Sequence, residues 1–292
     1  MSAVIPPSGL PLQGSLPAER APGRSAPAWK RSAVRLAAAA AQLASIVACL
    51  LLWHLAATHK LNLGVVTFDN VPLPADVLQA AGELLQSPKL LSHLVSSLLR
   101  VGIGFGIAAV LGILLGLLIG RLAWARHALL PPLEVLRPIP AVAWIPLAIL
   151  MFPSSEGSMV FITFIGALFP ILLNTIHGVE AVDPRLVASA RSLGTPRWRL
   201  FTEVIGPGAA PSIVTGLSIG MGTCWFCLVT AEMIAGQYGI GYYAWESYTV
   251  QRYPSIVVGM LVIGALGMGS SALIRQAGHR LMPWSRPQGG SR

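Results

Sequence analysis

Four long apolar runs without a single Lys, Arg, Asp or Glu constrain this chain more than any other feature: Leu36–Leu55, Val101–Gly120, Pro207–Ala231 and Tyr253–Ile274. A hydrocarbon core of ~30 Å is crossed by about 20 residues of helix at ~1.5 Å each, and every run reaches that length. The rest of the chain agrees, since 54% of the 292 residues are hydrophobic and 11% charged, with mean hydropathy +0.68. Ordinary soluble domains carry roughly 25% charged residues, so a soluble globular enzyme is excluded, as is disorder of the whole chain. Two weaker runs lie between the strong ones. Ser158–Ile176 is long enough but holds Pro170 and Asn174, and Pro138–Phe152 is short and holds Pro140 and Pro146. A proline inside a span requires neighbouring groups to satisfy the carbonyl it frees, which places the short run inside a bundle. The expected fold is all-α: a polytopic membrane protein with about six transmembrane helices.

Six spans put both termini on one side, together with the loops at 121–137 and 177–206. That side carries 16 of the 20 Lys and Arg, leaving Lys60, Lys89, Arg100 and Arg252 on the other. Positive charge collects on the cytoplasmic side, so both termini are expected to be cytoplasmic. The net charge of +9 thereby becomes a matter of topology, and no nucleic-acid partner is needed to explain it. Arg100 abuts the second run and is expected to snorkel to the outer interface. Residues 1–33, rich in Pro, Ala, Gly and Ser, read as a disordered cytoplasmic tail. They precede a transmembrane domain at 34–284 and a short cytoplasmic tail at 285–292. Pro74–His93 has apolar residues at helical spacing, interrupted by Pro88, and reads as an amphipathic helix on the outer membrane surface.

The stretch Gly178–Pro211 is longer than a turn between spans requires. Asp183-Pro184 starts a helix, with Asp as N-cap and Pro at the first helical position. Leu186, Val187, Ala190 and Leu193 form one apolar stripe, and Gly194 closes the helix. Thr195-Pro196 opens a second short helix carrying Trp198, Leu200, Phe201 and Val204. Two short helices with a glycine hinge suit either a docking element for a cytoplasmic partner or a surface helix resting on lipid headgroups.

This segment resembles the cytoplasmic loop of ABC importer membrane subunits. Its pattern is Glu-Ala-Ala, three residues, Gly, nine residues, Ile, one residue, Leu-Pro. Gly194, Val204 and Pro207 take the glycine, isoleucine and proline positions, while the triplet reads Ala188-Ser189-Ala190 and lacks the glutamate, and Gly206 replaces the leucine. Further segments resemble the nitrate, sulfonate and taurine branch: Arg137-Pro138-Ile139-Pro140, Phe169-Pro170-Ile171-Leu172-Leu173-Asn174-Thr175, Val182-Asp183-Pro184-Arg185, Ala231-Glu232-Met233 and Gly239-Ile240-Gly241-Tyr242. The resemblance extends over residues 36–284.

It implies a permease domain with a coupling loop at 178–208, in a bacterial inner membrane, serving import of a small anion such as a sulfonate, taurine or nitrate. It also implies a cytoplasmic ATP-binding partner, a periplasmic substrate-binding protein and a homodimer of this chain set in membrane lipid. A permease for a non-anionic metabolite is the alternative within the family, and a stand-alone carrier or channel the alternative outside it. The chain has no G-x-x-x-x-G-K-[ST] phosphate loop, so ATP and Mg belong on the separate ATPase, and no cofactor is expected here. By resemblance, Asp183, Pro184, Leu186, Val187, Ala190, Arg191, Gly194 and Trp198 couple to the ATPase. Arg191, Arg197 and Arg199 either pair with that subunit or stay solvated.

Small faces at Gly112, Gly116 and Gly120, and at Gly216 and Gly220, permit close and adjustable helix packing. Ser212, Thr215, Ser218 and Thr223 make the fifth span the favoured pathway helix, with Ser218, Thr223 and Glu232 as pathway candidates. Hydroxyls and backbone donors would then pass an anion without a fixed cation. Glu232 has a structural alternative in capping, toward which its position leans. Cys224-Trp-Phe-Cys227 lies mid-membrane without a second ligand pair and reads as small buried side chains, so no metal site is expected. No catalytic constellation is visible either, which argues against a membrane-embedded enzyme.

Overall fold

The computed structural model describes residues 28–64 and 66–285, which are helical with short connections. The chain divides into two compact units, one up to Leu55 and the other from Ala56 onward. The first consists, among the described residues, of most of α1 (Ala28–Thr58). That helix begins inside the stretch read as tail, because Pro27 is the last helix breaker before a run of good helix formers. The remaining tail at 1–27 and the C-terminal residues 286–292 lie outside the described residues.

The second unit contains α2 (Pro74–Gln86), α3 (Lys89–Arg121), α4 (Ala123–Leu136) and α5 (Ile145–Met151), the last preceded by a 3-10 turn at Ala141–Trp144. It continues with α6 (Ser155–Glu180), α7 (Pro184–Ser192), a single turn α8 (Arg197–Arg199), α9 (Gly206–Ala235), α10 (Ile240–Thr249) and α11 (Tyr253–Leu281). Among the described residues, α1, α3, α6, α8–α9 and α11 are each long and apolar enough to cross a membrane. The amphipathic stretch at 74–93 is α2 plus the first turn of α3. Pro88 ends the first piece, and α2 turns Val77, Ala80 and Leu84 inward.

α6 is the axis of the bundle. Gly104, Gly112, Gly116 and Gly120 of α3 lie against Thr163, Ile171, Thr175 and Val179 of α6, in that order. The order is the same on both helices, so α3 and α6 run parallel, and the chain between them must cross back. On the other flank Gly216 and Gly220 of α9 meet Asn174 and Ile171, and Gly178 meets Ala209 and Ser212, in antiparallel order. Two glycine faces thus clamp one helix and bring backbones close enough for dense packing without side-chain entropy.

The crossing between α3 and α6 differs from the expected short span at Pro138–Phe152. That stretch supplies only the second half, as the 3-10 turn and α5. The first half is α4, read as part of a cytoplasmic loop, and the two pieces meet at an angle of 84°. The apolar signal of α4 is interrupted by Arg126, Pro131, Pro132 and Glu134, which hid it from a hydropathy reading. Tertiary packing forms the helix regardless: Leu129, Leu130 and Leu133 lie against Ile119, Leu172 and Ile176.

The second short helix of the loop is also not separate. α8, a π-helical segment at Leu200–Ile205 and α9 run together as one helix of 39 residues, Arg197–Ala235. The wide turn lets Gly206 N donate to Phe201 O just before Pro207, whose ring nitrogen cannot donate.

Proline also explains two polar contacts. Pro170 cannot donate to the carbonyl of Gly166, and the Thr223 hydroxyl of α9 donates to it instead at 2.8 Å. Pro211 likewise frees the carbonyl of Pro207, which accepts from Trp284 Nε1 at 3.3 Å. Thr223→Val would bare the Gly166 carbonyl and is expected to lower stability by about 1–3 kcal/mol, read as earlier thermal unfolding in detergent. Thr223→Ser should stay close to the parent.

Candidate functional site

The loop helix α7 is built as its sequence signals require. Asp183 Oδ1 accepts from Arg185 N at 2.8 Å and Pro184 occupies the first helical position. At the other end Gly194 takes φ +74°. Its N–H donates to Arg191 O at 2.9 Å while Thr195 N donates to Ala190 O at 3.1 Å, the pair of bonds of a Schellman cap. Any β-carbon at Gly194 would meet open space, so the glycine is required by backbone conformation alone.

The predicted coupling residues divide between two faces. Val187 and Ala190 pack inward against Val179, Leu200, Ile205 and Ala209. Leu186, Leu193 and Trp198 point outward, 59%, 86% and 71% exposed. Arg185, Arg191, Arg197 and Arg199 are exposed around them. The inward stripe seats α7 on the bundle, and the outward one leaves a cationic, apolar surface at the end of the molecule. Large apolar side chains left exposed along one loop are a feature of protein-contact and membrane-contact surfaces.

The three pathway candidates do not converge. Ser218 Oγ is buried and has no hydrogen-bond partner among the described residues. It borders a hollow between α9 and α11 lined also by Thr215, Arg275 and His279. Thr223 faces α6 and serves the Gly166 carbonyl. Cys227 packs on the same glycine, and Cys224 is fully buried in the core beside it.

Glu232 has no exposed surface, so the described chain gives it no pathway face. Its Oε1 accepts from Ser97 Oγ at 2.8 Å and Arg100 Nη1 at 2.7 Å, and its Oε2 from Gly241 N at 2.9 Å. Arg100, expected to snorkel, is instead only 2% exposed. It also donates to Tyr238 O at 2.6 Å and forks onto Glu156 at 2.7 and 2.5 Å. Gly239 donates to His93 Nδ1 at 3.1 Å and Ile240 to Ser97 Oγ at 2.9 Å. Gly239 stands at φ +128°, and a β-carbon there would fall on the Glu232 carboxyl group. Together these groups form a buried clasp joining α3, α6, α9 and the start of α10. Two opposite charges, each directly flanking an apolar run, were the sequence signal that pointed to the pair.

Arg137 is the second residue that the linear reading misplaced. It follows α4 at the break of the third span and lines a hollow of about 280 Å³ with Ile139, Val142, Phe169, Thr223 and Phe226. Gly166 and Phe169 lie at the middle of α6, so this hollow is level with the centre of that apolar helix. The Arg137 side chain is exposed and makes no ion pair or side-chain hydrogen bond among the described residues.

Comparison with known proteins bears on this geometry. Residues 108–283 match the model of a family described as the binding-protein-dependent transport system inner membrane component. The chain is 39% identical over 155 residues to a putative ABC transporter permease of Methanocaldococcus jannaschii, covering 53% of this chain and 58% of that protein. It is 34% identical over 209 residues to the nitrate import permease NrtB of Synechocystis, covering 68% and 76%. It is 39% identical over 215 residues to the putative aliphatic sulfonates transport permease SsuC of Escherichia coli K12, covering 74% and 80%.

Proposed function

The chain belongs to the binding-protein-dependent transport inner membrane component family and is a multi-pass ABC permease subunit, and from that premise we propose that it imports a small anion of the aliphatic sulfonate, taurine or nitrate type. Two similar proteins named for nitrate and aliphatic sulfonates support the anion. A periplasmic binding protein delivers the substrate. ATP and Mg are bound by a cytoplasmic ATPase, one copy on each of two permease chains.

The observation that carries the energy coupling is α7. It is capped at both ends, seated by Val187 and Ala190, and presents Leu186 and Arg191 outward, with Leu193 at its C-cap and Trp198 of α8 exposed next to it in sequence. In this reading both termini and α7 are cytoplasmic, which agrees with the cationic surface around α7. The missing glutamate at Ala188 removes one charged contact and leaves the apolar seat intact.

Co-expression with its cognate ATPase and reconstitution in liposomes tests this directly. ATP-dependent uptake of taurine, methanesulfonate or nitrate, supplied with the binding protein, is the expected result. Failure to retain any ATPase on purification, together with uptake indifferent to ATP, would refute it. Gly194→Val sharpens the test. A β-branched residue at positive φ is strained by about 1–2 kcal/mol, so the Schellman cap opens and the outward stripe loses its orientation. Transport should fall while thermal unfolding of the spans shifts little; unchanged substrate-stimulated ATP hydrolysis would count against the coupling role of α7.

A further inference from the structure

We propose that Arg137 is the anion-recognising group of the translocation pathway, held at mid-membrane depth by the break in the third span. This rests on the anion reading above and deepens it by naming the charge that meets the substrate. A cation at the centre of a span costs about 2.5–3.5 kcal/mol on insertion scales, so it persists where it has a partner or a use. Arg100 shows what a structural arginine looks like in this bundle: its donors are taken by Glu232, Glu156 and the Tyr238 carbonyl. Arg137 has no such partner among the described residues and faces an open hollow instead.

The backbone around Arg137 points the same way. In Arg137-Pro138-Ile139-Pro140 two prolines withhold their N–H groups, and the chain turns by 84° between α4 and the 3-10 turn. Non-helical backbone at this depth is tolerated where it is enclosed in protein or lines a water-filled cavity. In secondary transporters, breaks near the midplane are where substrate sites are built. The hollow, about 280 Å³, is many times what one water requires. Its other walls are mostly apolar, and no carboxylate lines it. A planar guanidinium presents a fork that matches two oxygens of a nitrate or sulfonate group. The low-dielectric surroundings strengthen that attraction. Thr223 donates its hydroxyl to Gly166, so Arg137 is the charged donor among the residues lining the hollow. A single fork gives a station weak enough for the anion to leave, as passage demands. A fixed cation therefore replaces the hydroxyl-lined passage expected from composition.

The test uses the complete transporter, with its ATPase and binding protein, in liposomes, and uptake of nitrate, methanesulfonate and taurine as probes. Arg137→Gln should lower ATP-driven uptake about 10- to 100-fold, the loss of one charge-assisted contact. ATPase assembly and basal ATP hydrolysis should persist, and Arg137→Lys should restore part of the uptake. Uptake in the Gln variant equal to the parent overturns the role of Arg137 while the anion reading stands. A parent transporter that takes up none of the three anions but does take up a neutral metabolite overturns both. If Arg137→Gln separates the two permease chains, the residue is an intersubunit ion-pair partner and the proposal fails. Val142→Cys leaves Arg137 in place and decides the matter independently of how the Gln variant folds. Mass spectrometry should find this cysteine labelled by an anionic methanethiosulfonate reagent and protected by the transported anion. No labelling, or labelling indifferent to the anion, overturns the proposal.

Discussion

Glu232→Ala is expected to destabilise the bundle by about 3–5 kcal/mol, the cost of leaving a buried charge without its partner. Arg100 would keep Glu156, whose side chain is 65% exposed, but lose the carboxylate that lies wholly inside. Ser97 Oγ and Gly241 N would each lose an acceptor at the same time. Glu232→Gln preserves the shape and should lose less. The double variant Arg100→Met with Glu232→Leu removes both charges and should recover part of the loss, since an apolar pair avoids desolvation. Thermal unfolding in detergent measures all three. If Glu232→Ala unfolds with the parent, the clasp holds nothing together.

Gly116→Val should have a comparable effect through a different cause. A β-carbon there would stand 2.6 Å from Thr175 Cβ and 3.0 Å from the Leu172 carbonyl oxygen, and a backbone atom cannot turn aside. Overpacking alone costs about 1–3 kcal/mol, and parting α3 from α6 forfeits contacts along the whole glycine face. Gly106→Ala is the matched control, because nothing lies within 4 Å of its β-carbon position. That change should be neutral or stabilise by up to about 1 kcal/mol through helix propensity. Similar unfolding temperatures for the two variants would show that the α3–α6 contact is loose.

These effects mark what was readable in the chain and what was not. The strong spans and the caps of α7 were legible, because each depends on residues adjacent in sequence: an unbroken apolar run, an Asp-Pro pair, a glycine after the last turn. The third span was half legible. Its first piece α4 carries Arg126 and Glu134, and only packing against Ile119, Leu172 and Ile176 makes it a helix of the bundle. The clasp was hidden because Arg100 and Glu232 lie 132 positions apart. Counting hydroxyls in α9 gave no sign of their structural use, since Thr223 serves the carbonyl that Pro170 leaves bare. The clue was local after all: a proline four residues after a glycine in α6, with its remedy on the neighbouring helix.

The continuous helix from Arg197 to Ala235 gives the molecule a mechanical property. Its 39 residues span roughly 58 Å at ~1.5 Å per residue. It starts beside the outward face of α7 and ends three residues after Glu232 in the clasp. One continuous helix thus has the surface proposed for the ATPase at its foot and the Glu232 clasp at its tip. If the ATPase docks as proposed, a push at the foot would reach the tip as tilt, with the π-helical turn at Leu200–Ile205 as the compliant section between handle and shaft.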